Sequence, residues 1–268
     1  MTSDSYFAQG AGHAICEDYA LNWQNNQATL ALIADGCSSS DKTDVGARIV
    51  AEVFASTVKL LTKEGLLDCS NSTIQTLVKD KIKTINSQVG LNSAAYDCTI
   101  VAALITPKNN TLQLFLWGDG VIHLIFTDKC ITYSARYESN APYYLSYDLA
   151  QNGRAEEYCK TYGKKEAKLT KTSNEHTTTL SIPPFYTEKI STQGLVAVTV
   201  FSDGISTFSK LDGDQALLIP ETEIITELTN FKNSSGEFVQ RRLRRFQKTC
   251  KKDNISHFDD ISCASIML

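Results

Sequence analysis

Hydrophobic and polar positions change rhythm several times along this chain, and each change predicts an element. Leu30 to Ala34 form an unbroken apolar run that stops at Asp35-Gly36, the signature of a buried strand ending in a turn. From Asp44 onward the spacing switches: Val45, Ile49 and Val53, then Val50, Phe54 and Val58, recur every four residues and predict a long amphipathic helix. Ile74, Leu77, Val78, Ile82, Ile85 and Val89 predict a second helix, with Ser72 and Gln75 as a capping box at its start. Cys98 to Thr106, Leu112 to Trp117 and Val121 to Thr127 are β-rich segments punctuated by Pro107 to Asn110 and by Gly118-Asp119-Gly120, and predict an antiparallel meander. Tyr6 to Gly10, Tyr19 to Gln24, Leu195 to Phe201 and Ile261 to Met267 complete the predicted strands.

Residues from about 133 to 192 lose clear periodicity and carry Pro142, Pro183 and Pro184, which predicts long surface connections forming a flap or lid. Further on, Val239, Leu243, Phe246 and Cys250 make a helical stripe surrounded by Arg241, Arg242, Arg244, Arg245, Lys248, Lys251 and Lys252. That pattern is the solvated basic face of a helix docked on the core.

Charge narrows the partners. The formal net charge of −4 lacks the positive field that nucleic-acid binding requires, so no nucleic-acid partner is expected. With 42% hydrophobic and 21% charged residues the chain has ordinary globular usage. Its first residues are polar and acidic rather than a secretion signal, and no run is long enough to span a bilayer, so a cytoplasmic location is expected. The eight cysteines are scattered and include no CxxC pair, which fits a reducing compartment and cysteines used as small buried residues.

Four acidic positions share one arrangement. Asp35 precedes Gly36, Asp119 lies between two glycines, Asp203 precedes Gly204, and Asp259 stands just before the last strand. A lone Asp-Gly is more often a bend than a ligand. Repetition at successive strand ends, together with Glu17-Asp18, is different: strand ends lying side by side in a sheet would gather these carboxylates, and gathered carboxylates demand cations. Hard oxygen donors select Mg²⁺ or Mn²⁺.

Taken in order, Glu17-Asp18, Ala34-Asp35-Gly36 with Asp44-Val45-Gly46-Ala47, Asp97-Cys98-Thr99, Gly118-Asp119-Gly120, Ser202-Asp203-Gly204 and Asp259-Asp260-Ile261-Ser262 resemble the PPM, or protein phosphatase 2C-like, metal-dependent phosphatases. The resemblance spans nearly the whole chain and implies one domain over 1–268, of α+β class: a four-layer α-β-β-α sandwich of two antiparallel sheets flanked by helices. His13 and the stretch Ser139 to Tyr147 resemble a mainly bacterial branch, implying a bacterial or phage source. Carried over by position, Asp35 would bridge two Mn²⁺ or Mg²⁺ ions, the Gly36 carbonyl would help hold one, and Asp203 and Asp259 would hold the other. Glu17 and Asp18 would support this shell, and Asp119 matches a position that contributes to a third ion in some members. Asp35, Asp203 and Asp259 are thus the expected catalytic residues. A metal-activated water attacks phosphorus, with no protein nucleophile.

Three positions depart from the well-known members. His13 stands where they place a phosphate-holding arginine, and an imidazole needs acidic neighbours to stay protonated. Cys37 replaces a histidine that acts there as general acid, so the leaving alkoxide needs another donor or a metal-bound water. Thr207 replaces an aspartate, which weakens the third site. The expected function is a protein serine/threonine phosphatase acting on a phosphoprotein, with a cognate Ser/Thr kinase as its counterpart. The alternative is a phosphatase-like regulatory module that binds a phosphoprotein with weak or no turnover. His123 is expected to be a satisfied sheet residue, and His176 and His257 surface positions.

Overall fold

The computed structural model describes residues 1–67, 69–149, 153–174, 176–212 and 215–268. Its strands in chain order are β1 (Thr2–Ala8), β2 (Tyr19–Gln24), β3 (Thr29–Ala34), β4 (Ile100–Thr106), β5 (Thr111–Trp117), β6 (Gly120–Phe126), β7 (Cys130–Arg136) and β8 (Ala167–Ser173). They continue with β9 (His176–Ile182), β10 (Phe185–Ser191), β11 (Leu195–Phe201), β12 (Phe208–Asp212), β13 (Gln215–Leu218), β14 (Ile255–His257) and β15 (Ile261–Met267). The helices are α1 (Thr43–Lys63), α2 (Asn71–Val89), α3 (Arg154–Tyr162), α4 (Glu221–Thr229) and α5 (Phe238–Lys252). Among the described residues, no helix is long and apolar enough to cross a membrane.

Strand pairing yields a seven-stranded antiparallel sheet in the order β1-β15-β11-β6-β7-β8-β9, and a five-stranded antiparallel sheet in the order β10-β5-β4-β3-β2. The two sheets face each other across a core in which Ala31, Ile33, Val101 and Leu114 from one meet Ile122, Val198, Val200 and Ala264 from the other. Alternate residues of the same strands point outward: Leu30, Leu32, Ala102 and Phe115 pack under α1 and α2, while Val121, Phe201 and Cys263 pack under α4 and α5. The chain is therefore a layered α+β sandwich, helix over sheet on both outer faces. Strands buried on both faces have no polar side, which is why Leu30 to Ala34 reads as a continuous apolar run.

Several local expectations are corrected. The helix cap belongs to Ser70, whose hydroxyl accepts from Thr73 N at 3.2 Å, and not to Ser72; α2 starts one residue after it. The meander is interrupted, because β4 and β5 pair but β6 lies in the other sheet. The chain changes sheets at Gly118-Asp119-Gly120, where φ is 97° at Gly118 and 133° at Gly120, values that side chains rarely adopt. Within 133–192, strands β8 to β10 and helix α3 occupy most of the range, and the non-repetitive path is confined mainly to 137–149. The β8–β9 hairpin pairs Thr170 with Thr179 and Thr172 with Thr177 at the sheet's edge. Such strands bury little on either face, so they leave no hydrophobic period to detect. His257 is half-buried, stacked on Phe208 with ring centroids 4.8 Å apart, rather than a free surface group.

Gly120 tests the crossover. A Cβ there would lie 2.5 Å from Val101 Cγ2 and 3.0 Å from the Phe201 carbonyl oxygen. Gly120→Ala is expected to destabilise the fold by about 2–5 kcal/mol through backbone strain and overpacking. Urea denaturation measures this, and an unchanged midpoint would contradict the tight crossover.

Candidate functional site

Two strand ends from each sheet meet at one end of the sandwich. At the end of β3, Asp35 O accepts from Thr99 N at 2.8 Å and Gly36 bridges to Cys98, so the strand's path is held straight past its last residue and Asp35 faces the gap between the sheets. Asp119 occupies the crossover between β5 and β6. Asp203 opens a short 3₁₀ turn after β11, and Asp259 precedes β15. These last two are drawn together by backbone contact, since a Cβ on Gly204 would sit 1.8 Å from the Asp260 carbonyl oxygen. Asp35, Asp119, Asp203 and Asp259 consequently line one cleft of about 170 Å³, with Gly36, Cys37 and Tyr144 also on its wall. No Lys, Arg or His is among the described residues lining it.

Glu17, Asp18 and His13 stand beside this cleft rather than on its wall. Asp18 is buried, and its Oδ2 accepts from the Ser202 hydroxyl at 2.8 Å while Ser202 Oγ itself accepts from Ser262 N at 2.9 Å. Glu17 Oε1 accepts from the Thr43 hydroxyl at 2.7 Å, at the start of α1. The glycine-bearing approach to Glu17 is zipped to the segment before β15: Ala11 N donates to the His257 carbonyl at 2.9 Å and Gly12 N to the Phe258 carbonyl at 2.8 Å. Asp260 completes the seam by accepting from Gly10 N at 2.7 Å and Glu17 N at 2.6 Å.

His13 is mostly enclosed by carboxylates. Its Nδ1 is 3.0 Å from Asp260 Oδ2 and 3.6 Å from Glu17 Oε2, and its Nε2 is 3.2 Å from Asp259 Oδ1. Burial alone would lower the imidazole pKa, but Asp260, Asp259 and Glu17 outweigh it and hold the pKa above its ordinary value. The acidic neighbours that a histidine needs in place of arginine are thus present. Both ring nitrogens face them, and His13 is not part of the cleft wall.

The carboxylates conflict electrostatically. Burial first, then Asp18, Asp203, Asp259 and Asp119, push the Asp35 carboxyl well above the usual range. Burial raises Asp18 to about 8, against the lowering effect of the Ser202 hydroxyl, and burial with Asp203 raises Asp119 to about 7. Asp18 Oδ1 and Asp119 Oδ2 are buried with no hydrogen-bond partner among the described residues. Orphaned acceptor oxygens next to mutually repelling carboxylates are what hard divalent cations satisfy, so the donor set fits Mg²⁺ or Mn²⁺.

Sequence reasoning overlooked several supporting residues. Asp260 was visible only as the second half of a doubled aspartate, and Ser202 only as the residue before Asp203. His257 Nδ1 lies 2.8 Å from the Asp259 carbonyl oxygen, fixing the backbone that carries that carboxylate. Asp97 is buried and joins two distant segments: Arg154 donates to it twice, at 3.0 and 2.6 Å, and Ser40 and Ser146 donate as well. Nothing in the sequence pairs Asp97 with Arg154, because their partnership is purely spatial.

The protein phosphatase 2C family profile matches residues 10–249, ending before Asp259 and Asp260. No curated protein sequence matches the chain. Solved structures do. A bacterial serine phosphatase aligns with a TM-score of 0.56 at 10% identity over 99% of this chain and 96% of that one. The serine/threonine phosphatase Stp1 from Staphylococcus aureus aligns with a TM-score of 0.54 at 14% identity, over 100% and 95%. At such identities the likeness is one of fold.

The raised carboxyls give a signed prediction for the metal-free protein. Their folded-state pKa values lie above the ordinary 3.8, so the stability they confer is complete at acid pH and is lost as pH rises towards about 8. In EDTA the melting temperature is expected to fall between pH 5.5 and pH 8.5. Saturating Mn²⁺ at pH 8.5 should restore about 5 °C or more, with proton release on binding. Differential scanning fluorimetry checks both, and a Mn²⁺-insensitive melt at pH 8.5 would contradict the site.

Proposed function

The chain belongs to the protein phosphatase 2C family, and from that premise we propose that it is a Mn²⁺- or Mg²⁺-dependent phosphatase acting on phosphoserine or phosphothreonine in a phosphoprotein. The observation that carries the reading is the cleft in which Asp35, Asp119, Asp203 and Asp259 converge without a cationic side chain on its described wall. A cleft so charged cannot hold a phosphate dianion until its charge is reversed.

Asp35, Asp203, Asp259 and the Gly36 carbonyl would hold two ions, with Asp119 available to a third. Bound there, such ions supply an activated water at neutral pH and neutralise the phosphoryl oxygens. The remaining residues fix the donors. Ser202 orients Asp18, Thr43 orients Glu17, and Asp260 anchors the loop that carries both. His13, set between Asp259 and Asp260, supplies the positive charge that lets two adjacent carboxylates share one corner. In this reading it reaches a bound phosphoryl group only by way of its charge, in contrast to a direct arginine fork.

Incubating the purified chain with a phosphothreonine peptide and p-nitrophenyl phosphate, in Mn²⁺ or EDTA, tests the activity. Release is expected with Mn²⁺ and not with EDTA, and Asp203→Asn should reduce kcat by about 100-fold or more, since it removes a charged ligand from the ions. Binding of Mn²⁺ with no release from either substrate would favour the regulatory module instead, and full activity in Asp203→Asn would remove that residue from the metal site.

A further inference from the structure

Hydrolysis of a serine phosphoester expels an alkoxide unless a proton meets it, and Cys37 stands where the well-known relatives keep a histidine for that task. The cleft wall contains another donor. Tyr144 lines it together with Asp35, Asp119, Asp203 and Asp259, with Cys37 on the same wall.

Tyr144 is held in place from both sides. Leu145, next to it, is fully buried under the helices of the five-stranded sheet, and Ser146 donates to Asp97. On the other side the Tyr143 ring packs edge-on against Tyr147 and Tyr158, with centroids 5.1 and 5.0 Å away, and its hydroxyl donates to Asp148 at 2.7 Å. The Tyr158 hydroxyl donates to the Ala141 carbonyl at 2.7 Å. Arg154 both grips Asp97 and covers the Tyr147 ring at 4.6 Å. Asp97 is the hinge pin of the arrangement, because its carbonyl also accepts from Cys37 N at 2.8 Å. One buried residue thus sets the position of the tyrosine segment and of the loop that follows Asp35.

We propose that Tyr144 is a catalytic residue of the phosphoester hydrolysis, donating its hydroxyl proton to the departing seryl or threonyl oxygen. This deepens, and rests on, the phosphatase reading. As water attacks phosphorus, the bond from phosphorus to the ester oxygen breaks and its electron pair stays with that oxygen. The oxygen takes the Tyr144 proton and leaves as the alcohol, and the phenolate regains a proton from solvent. The direction is downhill, since a phenol is a stronger acid than the alcohol being formed. A phenol, with an ordinary pKa of about 10, keeps its proton at neutral pH, so the proton is in place.

A leaving-group comparison tests the assignment. p-Nitrophenolate departs without help, whereas a serine alkoxide does not. In the full chain with Mn²⁺, Tyr144→Phe is expected to lower kcat on a phosphoserine peptide by about 10²-fold, and to lower it on p-nitrophenyl phosphate at least tenfold less. Across aryl phosphates of rising leaving-group pKa, log kcat should fall more steeply for the variant than for the parent. Equal losses on all substrates, or no loss on the peptide, would overturn the role. If the unaltered chain hydrolyses neither substrate, the phosphatase reading fails in the parent protein, and the tyrosine's role falls with it.

Discussion

Mutual repulsion among crowded carboxylates, some buried and the rest half-buried, is the constraint around which this molecule is arranged. Asp18, Asp35, Asp119, Asp203 and Asp259 come from five separated parts of the chain, and left to themselves they would move apart into water. The backbone prevents it. Gly204 lets the turn after β11 press on the strand entry at Asp260, Asp35 is locked by its carbonyl bond to Thr99, and Asp119 is caught in a crossover with no slack. The strain of assembling this charge is carried by two helix-covered sheets whose cores are almost wholly apolar.

A second buried acid is handled in the opposite way. Asp97 is as buried as Asp18, yet it receives a bidentate arginine and two hydroxyls, leaving its carboxylate saturated. Satisfied and unsatisfied aspartates lie on the two sides of one loop, Asp35 to Ser40. The first kind ties the segment carrying Tyr144 to the frame; the second keeps acceptor oxygens without a donor among the described residues. An acid's surroundings, and not its burial, separate a structural carboxylate from a ligand.

Much of this was legible in the chain. Strands buried on both faces announce themselves as unbroken apolar runs, and α1 and α5 as stripes, because packing alone decides those residues; Val50, Phe54 and Val58, like Val239, Leu243 and Phe246, are buried as their spacing requires. Asp35, Asp119 and Asp203 are marked by adjacent glycines, since Asp119 sits in a crossover of positive φ and close backbone approaches leave no room for a side chain at Gly36 and Gly204. Polar strands such as β8 and β9 were not legible, as an edge hairpin of threonines obeys no burial period. Nor was the environment of His13, or the link from Asp97 to Arg154: both depend on which segments meet in space, and sequence spacing does not encode that.

The position of β15 has an implication for assembly. This strand fits between β1 and β11, and the residues just ahead of it provide Asp259 and Asp260. During synthesis β1 and β11 both leave the ribosome earlier, but they cannot neighbour each other without the strand that separates them. Asp259 and Asp260 therefore join the other carboxylates only once that strand is inserted, and a nascent chain has no complete cleft until the seven-stranded sheet is whole.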